Sequence, residues 1–143
     1  MKKLVWRTLI FCTLTLGACN NNGDVVDFLC GDAVLIDREL YDVTTSSDYV
    51  ITNVTVSDFF ITIDMWASGC DGNRMSACLV DSGDVALSLP PMRAIKLAHT
   101  NNEDCLAVIE RSYTFDLRPI LTNESETIIL TLDGWGDQIV ING

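Results

Sequence analysis

The chain carries one histidine, His99, three prolines and only nine basic side chains against 20 acidic ones. A single histidine excludes the paired imidazoles of a histidine-based zinc site and leaves little for proton transfer. With a formal net charge of −11 there is no basic patch able to neutralise phosphates, so nucleic acid is excluded as a partner. A Gly-x-Ser-x-Gly elbow for a serine nucleophile is absent. No internal repeat is visible, and no stretch sets apolar residues convincingly at three-to-four spacing, so neither a solenoid nor a helical domain is expected. What remains is 143 residues, 48% hydrophobic, with six cysteines: enough for one domain and a processed end.

The N-terminus starts Met1-Lys2-Lys3, continues Leu4-Val5-Trp6-Arg7, and then runs apolar from Thr8 to Leu16 before Gly17 and Ala18. A basic start followed by an apolar stretch too short to span a bilayer of about 30 Å reads as a secretory signal over residues 1–18. Leu16-Gly17-Ala18-Cys19 resembles the lipobox of bacterial lipoproteins. The resemblance implies that Cys19 becomes the lipidated first residue of the mature chain and that Cys12 leaves with the signal. It also implies a bacterial cell-envelope location, and Asn20 in place of an aspartate after the cysteine implies the outer membrane. Acyl chains at about 0.8 kcal/mol per buried methylene would make such an anchor effectively permanent. Residues 19–29 then form the lipidated cysteine and a polar tether, beginning Asn20-Asn21-Asn22-Gly23-Asp24. Loss of Lys2, Lys3 and Arg7 leaves six basic residues against the same 20 acids, a net charge of −14. An acidic body of this kind is repelled by anionic lipid, so membrane attachment falls to the anchor.

Residues 30–143 alternate apolar and polar positions with β-branched and aromatic enrichment, which is an all-β pattern. The clearest strand is 59–66, with Phe59, Ile61, Ile63 and Met65 on one face and Thr62 and Asp64 on the other. Others read at 33–36, 49–56, 79–80 with 85–89, 94–98, 106–110, 113–117, 127–132 and 138–141, separated by turn-forming Asp, Asn, Gly and Pro. Eight or nine short strands predict an antiparallel β-sandwich of immunoglobulin-like architecture, with a small barrel as the alternative.

Cys30, Cys70, Cys78 and Cys105 remain after processing, an even number in an exported domain, so two disulfides are expected among three possible connectivities. Closing the 36-residue loop from Cys70 to Cys105 is worth about 3.8 kcal/mol in the chain-entropy estimate, against about 2.6 for the nine-residue loop from Cys70 to Cys78. That difference favours the longer closure only weakly. A thiolate metal site is disfavoured, because Cys70 and Cys78 are too far apart in sequence for zinc-ribbon spacing. The segments Ser68-Gly69-Cys70-Asp71-Gly72-Asn73, Leu79-Val80-Asp81-Ser82, Pro90-Pro91-Met92-Arg93, residues 101–105 and Phe115-Asp116-Leu117 resemble a group of short, uncharacterised, β-rich bacterial lipoproteins across residues 50–133. The resemblance implies that Cys70 pairs with Cys105, leaving Cys30 for Cys78. It brings no activity with it.

Candidate sites are few. Asp71 and Asn73, with residues 101–104, supply oxygens for a loop-built calcium site, but the spacing lacks a terminal bidentate glutamate and reads as tight turns. His99 reads as a surface histidine at a strand end. Asp64, Glu110 and Asp116 could converge as an acid and base pair, and Trp66 or Trp135 could stack on a ligand from a sheet face. No catalytic constellation, cofactor or metal is expected. The sequence therefore points to a non-catalytic binding or structural lipoprotein; the alternative is an inhibitor steered onto a basic enzyme such as a lysozyme or protease, and the third is a carboxylate-dependent hydrolase. Any protein partner recognised through charge is cationic. Replacing Cys19 by serine should abolish metabolic labelling with palmitate and yield the protein in a soluble or uncleaved form; unchanged labelling would overturn the anchor.

Overall fold

A computed structural model describes residues 30–121 and 127–142. Segments 1–18 and 19–29, with the lipobox residues Leu16, Gly17, Ala18 and Cys19, lie outside the described residues. The elements are β1 (Leu35–Ile36), α1 (Arg38–Val43), β2 (Tyr49–Ser57), β3 (Phe60–Gly69), β4 (Met75–Ala86), β5 (Met92–Asn101), β6 (Ala107–Asp116), a single 3-10 turn (Arg118–Ile120), β7 (Ile128–Leu132) and β8 (Ile139–Ile141). They make two packed sheets, one of five strands in the order β1-β4-β5-β7-β8 and one of three in the order β2-β3-β6. The all-β sandwich read from the sequence is the fold.

Its pairing corrects one expectation. The smaller sheet is antiparallel throughout, but the larger one is mixed, since β1 runs parallel to β4 and β5 parallel to β7. Parallel neighbours need crossover connections, which the chain makes through the other sheet: β2 and β3 lie between β1 and β4 in sequence, and β6 between β5 and β7. Two expected strands, 106–110 and 113–117, are one, because Arg111 and Ser112 stay in register opposite Met65 and Asp64. The Ser112 hydroxyl donates to Asp64 Oδ1 at 2.6 Å, so a polar pair holds the ladder where the apolar alternation lapses.

The core fills the space between the sheets. Ile61, Ile63, Met65 and Ala67 from β3 meet Leu79, Ile95, Leu97, Leu130 and Ile141 from the larger sheet, all essentially without solvent contact. Alternation along β3 decides this: its even-numbered residues Thr62, Asp64 and Trp66 face outward. The disulfides join Cys30 to Cys78 and Cys70 to Cys105, with Cα separations of 5.1 and 4.8 Å. This is the pairing the resemblance implies.

The helix α1 was not expected. Six residues are too few to display an apolar stripe of helical period, and only Leu40 is buried. Local chemistry forms it instead: the Asp37 carboxylate caps the N-terminus by accepting from Leu40 N–H at 2.9 Å. At the other end Lys96 Nζ donates to the carbonyls of Tyr41 and Thr44 at 3.0 Å each and lies 4.4 Å from the Tyr41 ring centre. Leu40, Cys78 and Val80 thereby form a second small core on the outer face of the larger sheet.

A buried ion pair stands at the junction of these parts. Asp81 is fully buried in β4 and Arg93 nearly so in β5. The guanidinium donates through Nε to Oδ2 at 2.9 Å and through Nη2 to Oδ1 at 2.6 Å. Asp81 Oδ1 also accepts from Gly83 N–H at 2.7 Å, where a register shift between Asp81 and Val85 needs the positive φ of 81° that glycine supplies. Changing Arg93 to leucine strands a buried carboxylate and should cost about 3–5 kcal/mol in urea unfolding, while adding Asp81→Leu should recover most of that loss.

Candidate functional site

One end of the sandwich combines exposed apolar side chains with carboxylates. Trp66 projects from the outer face of β3, 38% exposed, with Val50 of β2 on one side and Glu110 of β6 on the other in register. Val108 and Leu106 extend the patch toward the β5–β6 connection at 65% and 90% exposure. A cleft of about 560 Å³ lies at this end, lined among others by Val50, Trp66, Leu106, Asp48, Glu103 and Asp104. The side chains are placed by β alternation, which turns Trp66 outward because Met65 and Ala67 point into the core.

The floor of the cleft is held by Glu103. Its Oε1 accepts from Arg74 N–H at 3.0 Å, and its Oε2 from the N–H groups of Cys70, Asp71 and Gly72 at 2.6, 3.3 and 3.0 Å. Donation from the Arg74 amide and then from Cys70 and Gly72 stabilises the ionised form and lowers its pKa to about 2. A Cβ at Gly69 would collide with Met75 Cε and Glu103 Oε2, so the absence of a side chain there lets the carboxylate approach the turn. Asn101 ties the same loop, donating from Nδ2 to Ser68 O at 2.7 Å and accepting from Glu103 N–H at 3.0 Å. With the Cys70–Cys105 disulfide, these bonds fix the 69–74 turn to the 101–105 loop.

Asp71 accepts from Asn73 N–H at 2.9 Å and Asn73 Nδ2 at 2.7 Å, a turn of the expected kind, and Glu103 is taken up by backbone amides. Among the described residues no group of three or more His, Cys, Asp or Glu side chains could hold a metal ion.

His99 corrects the sequence reading. It shares the inward row of β5 with Ile95 and Leu97, and its side chain is wholly buried instead of on the surface. Nδ1 lies 2.9 Å from Asp48 Oδ2, and the ring stands edge-on to Tyr49 at 5.6 Å between centroids. Tyr49 in turn donates its hydroxyl to Leu97 O at 2.8 Å, and burial pushes its pKa up. The histidine thus braces the wall behind Asp48.

Of the candidate acid and base residues, Asp64 and Glu110 line one shallow depression, whereas Asp116 lies apart from them. Asp64 accepts from Ser112 at 2.6 Å and Asn53 at 3.0 Å, and these two bonds, Ser112 first, lower its pKa, the reverse of what a general acid needs. Asp116 is bound by the Arg118 side chain and amide, which lower its pKa as well. Its register partner Phe60 is four positions from Asp64 along β3, about 13 Å at strand rise, too far for a shared reaction centre. Glu110 borders a shallow depression with Asp64, beside Trp66. Trp135 packs half-buried against the core, whereas Trp66 is free to make contacts. The exposed leucine and valines around Trp66 escaped the sequence reading, because apolar residues at strand ends give no periodic signal.

No family model matches the chain, and no curated protein matches it. A solved structure, that of a protein of unknown function DUF1344 from Bacteroides vulgatus, is similar with a TM-score of 0.53 at 13% identity. The likeness covers 78% of this chain and 55% of that one, so the chain spans about half the length of its structural neighbour. At this identity the likeness is one of fold.

The Glu103 cradle sets a pH dependence. Its pKa falls from an ordinary 4.5 to about 2 on folding, so its contribution to stability is present above pH 4.5 and is lost as pH drops toward 2. Thermal unfolding of the wild type should weaken over that interval more steeply than that of Glu103→Gln; parallel curves would show that the cradle does not hold the turn.

Proposed function

We propose that the protein is a lipid-anchored lipoprotein of the bacterial cell envelope whose role is binding, not catalysis, and that the Trp66 cleft is its contact surface for a cationic polypeptide. The observation that carries this reading is the pairing of an exposed indole with carboxylates on a braced scaffold: Trp66 beside Glu110, with Asp48 and Asp104 at the rim. Such a surface suits lysine or arginine side chains, whose stems pack on Val50 and Leu106 while the charge meets the ring face and the acids. The net charge of −11 steers a basic partner toward it from a distance. An inhibitor of a basic enzyme is one form of this role, distinguished by loss of the partner's activity on binding. A carboxylate-dependent hydrolase has less support, since Asp64 and Asp116 are engaged as structural acceptors.

The test is capture of basic envelope proteins, and of lysozyme as a defined cationic probe, by the anchored protein at low and high salt. Affinity should fall steeply above about 0.15 M salt, where charges are screened beyond about 8 Å. Trp66→Ala should weaken capture about tenfold, in keeping with loss of one anchoring aromatic. Capture that resists salt and ignores Trp66→Ala would sink the cleft as the contact surface.

A further inference from the structure

Among the described residues the sandwich is open along one side. β6 is an edge strand whose ladder partner is β3, and residues 32–34 cover only its last position. There Asp116 N–H donates to Asp32 O at 2.6 Å and Val34 N–H donates to Asp116 O at 2.9 Å, in a parallel bridge. The register of β6 against β3 is unbroken from Ala107 to Asp116, and Leu117 N–H donates to Phe59 O. Even-numbered residues therefore aim their backbone groups away from β3. Val108, Glu110, Ser112 and Thr114 present N–H and C=O along this edge, and among the described residues no backbone hydrogen bond closes them.

The inward row of the same strand is also incomplete. Arg111 Nε and the Tyr113 hydroxyl are buried with no hydrogen-bond partner among the described residues. Buried polar atoms without partners cost free energy, which a missing neighbour would relieve. Tyr113 lines a cleft of about 700 Å³ with Met75, Ala77, Phe115, Cys30 and Asp32, left open because β1 reaches β4 only at Val80 and Asp81. Native edges are commonly guarded by outward charges, but Arg111 turns inward to the Gly72 carbonyl and leaves this edge with Glu110.

We propose that the β6 edge takes an extended segment of a partner polypeptide, added as a strand, with apolar side chains toward the cleft and basic ones outward. The bridge at Asp116, made by the chain's own Ala33, shows that this edge accepts a parallel backbone partner. From Ala107 to Thr114 the edge is eight residues long, about 26 Å, enough for four rungs. Met75, Ala77 and Phe115 set the apolar requirement, while Glu110 and the net charge of −11 set the basic one and disfavour a second copy of this chain. Strand addition draws affinity from main-chain hydrogen bonds and specificity from alternate side chains. The edge shares Val108 and Glu110 with the Trp66 patch, but it engages a partner through their backbone groups and needs no contact with the indole.

The test uses the full chain in detergent micelles with a fluorescent octapeptide alternating valine and lysine, followed by residue-resolved amide exchange. Binding should slow exchange at least about tenfold at Val108, Glu110, Ser112 and Thr114 and leave Ile109 and Tyr113 unchanged. The same peptide with N-methyl groups on alternate backbone nitrogens keeps its side chains and should bind at least about tenfold more weakly. Equal affinity for the methylated peptide, protection elsewhere, or no binding at millimolar peptide would overturn the proposal. Binding that emerges only after deletion of residues 20–29 would also overturn it, because the edge would then belong to the chain's own N-terminal segment.

Discussion

The buried pair of Asp81 and Arg93 is the constraint on which the larger sheet depends. A carboxylate without solvent contact is tolerable only if its charge is matched and its lone pairs are filled, and Arg93 and Gly83 N–H do both. The same residue shapes the chain on either side of it. Its side chain stabilises the register shift in β4, and its carbonyl accepts from Asp37 N–H at 3.1 Å, which sets the entry to α1. Opposite Ile36 it also fixes the parallel pairing of β1. One ion pair thus ties together a strand edge, a helix start and the centre of a sheet. A sheet with mixed strand directions gains most from such a fixed point, because hairpins alone cannot set its register.

Glu103 plays the corresponding part at the other end, with a different energetic logic. Its carboxylate is solvated and gains from four backbone amides that would otherwise lack partners in the tight turn at 69–74. The turn needs glycine at 72, where φ is +74°, and the bonds to Glu103 and the Cys70–Cys105 disulfide hold it. For the proposed binding role such rigidity would be an advantage, since a surface with fixed side chains loses less entropy when a partner docks. Trp66, Asp48 and Asp104 sit on that braced frame, and the buried His99 supports Asp48 from behind.

The two candidate surfaces use different chemistry of the same three-stranded sheet. The Trp66 cleft offers side chains on the sheet's outer face, while the β6 edge offers backbone groups in the sheet plane. Both follow from the sheet being small. With β2 and β6 as edges and β3 alone in the middle, the outer face is narrow and its flanks lie close to solvent. The acid-rich composition, which by itself reads as solubility, takes on direction once Glu110, Asp48 and Asp104 gather around an exposed aromatic.

Alternation over 49–56 and 59–66 was enough by itself to determine β-strands with Ile61, Ile63 and Met65 on the inward face, because a two-residue period leaves one burial solution for each strand, while it left a small barrel open beside the sandwich. The even count of Cys30, Cys70, Cys78 and Cys105 likewise pointed to two disulfides, although spacing alone left their connectivity open. Tertiary structure alone decided the rest. The parallel pairings join residues distant in sequence, the helix α1 exists through a cap and a lysine on another strand, and His99 is buried because its neighbours on β5 face the core. In the sequence Glu103 was one of several oxygens of a possible calcium loop or tight turn, and only the folding of 69–74 around it made it a structural anchor. Local composition records the propensity of a segment, whereas the partner that satisfies a buried charge or a free amide is set by where the whole chain brings its distant parts together.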